Sequence, residues 1–165
     1  MKTKEIKREK SEKRKMMLPA LFFLLFSFFT LNLYAQTAER MERLLETSAV
    51  NYGDAARFVL EAADVFVASG PESAFNYTSE QGWLPRGAAA GDSARLDGLS
   101  LLIMKSFNIQ GGLMYGAVKN AHYAYRELVY LNVIQGRNDP AMVVSGDLLL
   151  FMVNRILSYR EANQL

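Results

Sequence analysis

Asp97 and Asp147 stand fifty residues apart, each two positions after a polar residue (Arg95, Ser145) and just ahead of a long apolar run. A pair of carboxylates is the equipment of glycosidic acid–base chemistry, provided the two face each other across a cleft. The plainer reading is that each lies in the first turn of a helix, where free amides favour a carboxylate by about 0.3–1 kcal/mol. Trp83 could stack on a sugar ring or fill a corner of the core. Arg126 and Glu127 are neighbours that point apart on a helix, so each needs a partner on another element. His122 is the single histidine and there is no cysteine, which removes a histidine metal cluster, thiolate metal sites, disulfides and a cysteine nucleophile. There is no G-x-S-x-G, no Gly-Lys-Ser/Thr phosphate loop and no dinucleotide fingerprint, and the Gly87–Ser93 stretch lacks the lysine a phosphate cradle would use. The expectation is a protein without catalytic residues, cofactor or resident metal.

The elements that would carry these residues recur. Ala74 to Phe107 lies over Ala124 to Leu157 without a gap, matching Phe75 to Tyr125, Leu84 to Ile134, Leu99 to Leu149, Leu101 to Phe151, Ile103 to Val153 and Lys105 to Arg155. A period in this range is the mark of a duplicated helical unit. A shift of 43 also lays Asp54 on Asp97, Phe58 on Leu101 and Leu60 on Ile103, so the helix ahead of the pair reads as a further half unit. The alternative, that buried helices match by apolar position alone, stays open.

Spacing of apolar residues predicts an all-α fold of about five to six helices. A short amphipathic helix is expected over Thr37–Thr47, within an N-terminal segment 36–52. A stronger helix is expected over Asp54–Ala68, stopped by Gly70-Pro71, and another over Glu72–Gln81, ended by Gly82. Leu96–Asn108 follows a Gly/Ala-rich loop. Leu113–Asn120 reads as an irregular connection or a short turn of helix, then come helices His122–Leu131 and Gly146–Ser158, the last capped by Ser145. The apolar runs Leu99–Met104 and Leu148–Val153 require cover on more than one face, from neighbouring helices or from a second subunit. The helical domain is expected to span 53–159, as a half unit 53–70 and units 71–110 and 121–159, with a tail over 160–165.

The first 35 residues have the three-part form of an export signal: a charged stretch Lys2–Lys15, an apolar stretch Leu18–Leu33, and Leu33-Tyr34-Ala35 before Gln36. The sixteen residues of the apolar stretch, apolar except for Ser27, Thr30 and Asn32, reach about 24 Å at about 1.5 Å each, short of the roughly 30 Å hydrocarbon core. Cleavage after Ala35 is therefore expected, with an uncleaved anchor, and membrane attachment through it alone, as the alternative. The whole chain has a formal charge of +2, but 8 basic and 3 acidic residues lie within 1–35, leaving 11 and 14, or about −3. With the basic excess confined to that segment and no basic run interleaved with aromatics, nucleic-acid binding loses its electrostatic footing.

Tyr123-Ala124-Tyr125-Arg126-Glu127-Leu128, Val133-Ile134-Gln135-Gly136, the Asp139-Pro140 turn and Ser145-Gly146-Asp147 together resemble a divergent S-layer homology module. In that family a first helix ends in a GI-x-G corner and a loop leads to a T-R-A-E helix start. The earlier unit is similar, with Trp83-Leu84 at the corner and Ala94-Arg95-Leu96-Asp97 in the T-R-A-E place. A looser likeness is to small exported envelope proteins of spirochaetes. The resemblance covers roughly residues 53–159. It implies binding of cell-wall polysaccharide in pockets between units, with Arg95 in the place of the binding arginine and Asp97 and Asp147 at the acidic position. Ser145 replaces the arginine in the second unit, which removes the bidentate partner for an anionic polymer there. Three modules usually close the family's pseudo-threefold arrangement, and here two and a half are visible.

The expectation is an exported, non-catalytic binding or scaffold protein of the periplasm or cell envelope. It would recognise cell-wall polymer at an inter-unit groove through Trp83, Arg95, Arg126 and Arg137, with Asp97 and Asp147 alongside. The competing expectation is a subunit or adaptor of a periplasmic complex, binding another envelope protein or a second copy of itself through apolar helix faces.

Overall fold

The computed structural model describes residues 39–136 and 139–162. The chain divides into two compact units, Met1–Arg43 and Leu44–Leu165. Residues 39–46 are helical (α1). The expected export signal, residues 36–38, Arg137 and the last three residues of the tail lie outside the described residues. In the second unit α2 spans Tyr52–Ala62, α3 Pro71–Glu80, α4 Leu96–Ser106, α5 Leu113–Ala117, α6 Ala121–Tyr130 and α7 Gly146–Ala162. The fold is all-α, with seven helices among the described residues rather than five to six, since the stretch after Gly112 does form the short α5.

Four of the helices stop for the same local reason. The residues after α2, α3, α4 and α6 are Asp64, Gly82, Asn108 and Asn132, all at positive φ (56°, 66°, 52° and 58°). In each case two crossed bonds close the end; for α3, Trp83 N–H donates to Thr78 O at 2.9 Å and Gly82 N–H to Ser79 O at 3.0 Å. This double closure satisfies carbonyls the helix leaves bare, and glycine, asparagine and aspartate tolerate the left-handed turn it needs. It also corrects the expected length of the first strong helix. Apolar spacing continues through Phe66 and Ala68, but Asp64 turns the chain after Ala62 and returns Ala68 to the core.

The recurrence is geometric as well as sequential. Shifting α3 by 50 gives the bounds of α6, and shifting α2 by 44 gives those of α4. The half-unit register is thus 44, not the 43 that aligned Asp54 with Asp97. The difference between 44 and 50 is the longer stretch after α4, which contains α5. Side by side, α2 packs chiefly on α3 and α4 on α6, with α2 also touching α4 and α7. Helix pairing therefore joins each lead helix to the outer helix that follows it in sequence.

The apolar run of α4 is covered inside the unit. Leu99, Leu102 and Ile103 are fully buried and Leu101 and Met104 nearly so, as are Leu149, Met152, Val153 and Ile156 of α7. Of the two expected sources of cover, neighbouring helices supply it for the α4 run; in the α7 run Leu148 and Leu150 are half-buried and Phe151 is exposed.

Candidate functional site

Three backbone segments meet where α2, α4 and α7 begin. Val50 N–H donates to Val144 O at 2.9 Å, Val144 N–H to Ala94 O at 2.9 Å, and Ala94 N–H to Val50 O at 2.7 Å. These three bonds form a closed cycle joining the residues two ahead of each helix. The segment ahead of α2 thus closes a ring with those ahead of α4 and α7.

The cycle also answers the problem that every helix start poses, its unpaired first-turn amides. Tyr52 and Gly53 of α2 donate to Asp92 O and Ala90 O (3.0 and 2.9 Å). Leu96 and Asp97 of α4 donate to the corresponding carbonyls fifty residues on, Met142 O and Pro140 O (3.0 and 2.9 Å). Gly146 of α7 donates to Thr47 O at 2.8 Å. Each loop therefore caps the helix of another unit, which locks the three starts to one another.

The residue just before each helix plays one role in three chemistries. Asn51 Nδ2 donates to Asp54 at 2.8 Å, the Arg95 guanidinium to Asp97 at 3.0 Å, and the Ser145 hydroxyl to Asp147. Ser145 and then the Leu148 N–H hold the Asp147 carboxyl below the usual carboxylate range. Asp97 also accepts the Gly98 N–H at 2.8 Å. Arg95 and Asp97 are thus a local pair at a helix start, with the guanidinium about half exposed (53%) and the acid 21% exposed.

Tyr52 fills the centre of this hub. It is buried, its hydroxyl accepts the Arg95 N–H at 3.3 Å, and burial raises its pKa. Gly98 makes room for it: a Cβ there would fall on the Tyr52 hydroxyl and within 2.8 Å of Pro85. A Cβ on Gly146 would fall on the Leu44 carbonyl.

The structure separates the remaining sequence candidates. Trp83 is half-buried at the end of α3, edge-on to Tyr77 (5.8 Å), which stacks on Phe66 (4.6 Å). It belongs to an aromatic cluster at the start of the loop that follows α3. Arg126 is exposed on α6, and Asp147 is exposed at the α7 start. No group of acids and histidines among the described residues is close enough to hold a metal. No described helix is long and apolar enough to cross a membrane.

Two open grooves lie where each lead helix hands over to its outer helix. The first, about 660 Å³, is lined by Phe66, Gly70, Glu72, Tyr77 and Glu80 among others. The second, about 620 Å³, is lined by Gly111, Gly112, Glu127, Tyr130, Tyr159 and Arg160 among others. In the fifty-residue register Tyr77 corresponds to Glu127 and Glu80 to Tyr130, so each groove carries one tyrosine and one glutamate a helical turn apart, in opposite order. Below the second groove Tyr115 is buried, and burial, aided by the Glu127 charge, pushes its pKa up to about 12. Sequence reasoning missed Tyr130, Tyr159 and Arg160; for Tyr130 the signal available was the Tyr/Glu exchange between matched positions, whereas Tyr159 and Arg160 match Ile109 and Gln110 and carry no such signal.

Comparison with family models, with curated proteins and with solved structures returned no match.

Proposed function

We propose that this chain is a non-catalytic recognition or scaffold protein of the cell envelope, exported by its N-terminal segment and built from S-layer-homology-like helical units. The observation that carries this reading is the closed backbone cycle Val50–Ala94–Val144. It joins three helix starts into a rigid hub and leaves the outer helices and their connecting loops as open, repeated grooves. A repeated scaffold with similar grooves suits an extended, repetitive ligand such as a cell-wall polymer, since several weak sites on one chain raise avidity without any one being tight. Tyr130, which is 81% exposed in the second groove, is the proposed contact there, and the half-exposed Arg95 at the hub is a proposed second contact outside the grooves.

Retention on purified cell-wall sacculi tests the reading. The wild-type protein should be retained, and Tyr130→Ala combined with Arg95→Ala should weaken retention several-fold. No retention, or equal retention by the double variant, contradicts it.

One observation favours the adaptor reading. Leu113, Met114 and Val118 on and beside α5 are 86%, 64% and 50% exposed, an apolar cluster on the segment that the shorter α2–α3 connection lacks. Light scattering of the protein alone, and with Leu113 and Met114 both changed to Ser, tests whether that cluster holds a second copy.

A further inference from the structure

We infer that the two repeat-related grooves bind a primary ammonium group on an aliphatic stem. The inference rests on the groove reading above and names its ligand class.

The Glu127 carboxylate makes no hydrogen bond or ion pair with any described residue, although the residue is half-buried. Its carboxylate lies over the glycine pair of the α4–α5 connection: a Cβ on Gly112 would come 3.3 Å from Oε2. A side chain there would close the groove over the acid, and glycine leaves it open. A partly desolvated carboxylate without a counter-charge is costly, and an ammonium that donates to it recovers that cost with a charge-assisted hydrogen bond. Tyr130 stands three residues on along α6 with its ring exposed, and a tyrosine face attracts a cation within about 6 Å.

The first groove repeats the chemistry with the positions exchanged. Tyr77 is held by stacking on Phe66, Glu80 lies a turn away, and Glu72 lines the same groove. Both acids are exposed, neither is paired with a described residue, and none of the described residues lining this groove is basic. Acid plus aromatic at both repeats selects cations and disfavours an anionic polymer. Arg160, which lines the second groove alone, sets the two apart: it disfavours a dication there and accepts a ligand bearing a carboxylate at its far end.

The ammonium could come from a lysine side chain of a partner protein or from a free aliphatic diamine. Backbone amide NMR titration of the purified protein with N-acetyl-lysine methylamide, with cadaverine and with pentanoate tests the inference. Saturable shifts are expected at Gly70 and Tyr77 with both amines, and at Gly112 and Tyr130 with the lysine compound and more weakly with cadaverine, and none with pentanoate. Glu127→Gln should weaken binding about tenfold at the second groove and leave the first unchanged, and Glu80→Gln should do the reverse. Tighter binding of the lysine compound at the second groove assigns the site to a protein segment; tighter binding of cadaverine at both assigns it to a free diamine. Absence of saturable shifts with either amine, or shifts that persist undiminished in both variants, overturns the inference. Sacculus retention separates the two levels. If wild-type retention persists while the amines fail, the ligand class is wrong and the envelope reading stands; if the amines bind without retention, the envelope reading is what fails.

Discussion

The connection after α2 and the connection after α4 start alike and end differently. Both leave their helix through the same crossed closure, at Asp64 and at Asn108, and both lead to an outer helix that packs back on the lead helix. The first reaches α3 directly, while the second inserts Gly111-Gly112 and α5, with Leu113 and Met114 exposed. Yet the backbone cycle at the other end of these helices is the same for both. Interlocking the helix starts fixes the hub, and the far ends can then lengthen and change character without disturbing it. At the hub a Cβ on Gly98 or Gly146 would collide with its neighbours; at the far ends a Cβ on Gly70 or Gly116 meets nothing within 4 Å, while one on Gly111 would come 2.8 Å from Tyr115.

The sharpest break of this contrast is at Gly146. Alanine there collides with the backbone carbonyl of Leu44, which cannot swing aside as a side chain can, so Gly146→Ala should cost about 3 kcal/mol or more in chemical denaturation. Gly98→Ala should cost about 1–3 kcal/mol, and Tyr52→Phe in the same chain should return part of it, because one clashing atom is the tyrosine hydroxyl.

Tyr115 sharpens the outer side of the comparison. Its pKa of about 12 lies above the ordinary 10, so the folded state keeps a proton that the unfolded chain loses. The associated stability is intact below pH 10 and lost as pH rises towards 12. Tyr115→Phe should flatten that alkaline decline in thermal melts taken from pH 9 to 12. The smallest effect belongs to α5 itself: Leu113→Ser should change stability by no more than about 0.5 kcal/mol, since its side chain is 86% exposed.

The same contrast explains what could be read from the residues. Helices α3 and α6 were legible within a residue at each end, because Gly70-Pro71 and Gly82 punctuate one and the fifty-residue match carries those bounds to the other. The end of α2 was not, because Phe66 and Ala68 prolong helical spacing while the stop depends on Asp64 adopting a left-handed turn. The half-unit register slipped by one through aligning two aspartates whose partners differ in spacing: Asn51 reaches three residues on to Asp54, and Arg95 only two on to Asp97. The burial of Leu99–Met104 was legible, but not its cover, since that comes from helices distant in sequence. At the candidate site, Arg95 and Asp97 were found as a pair of positions, and their mutual bond shows a helix-start role that residue types alone do not separate from binding. Glu127 stood out only as a charge needing a partner; that it lies over Gly112 is a tertiary fact.

The hub is the central claim, and amide hydrogen exchange at Val50, Ala94 and Val144 tests it most directly. Because each of these N–H groups donates within one closed cycle, none can open alone without breaking the ring. The three should exchange with the same free energy, equal to that of global unfolding. Exchange of any one of them at the rate of the exposed Leu113–Val118 segment would contradict the closed cycle, and with it the scaffold on which the two grooves are placed.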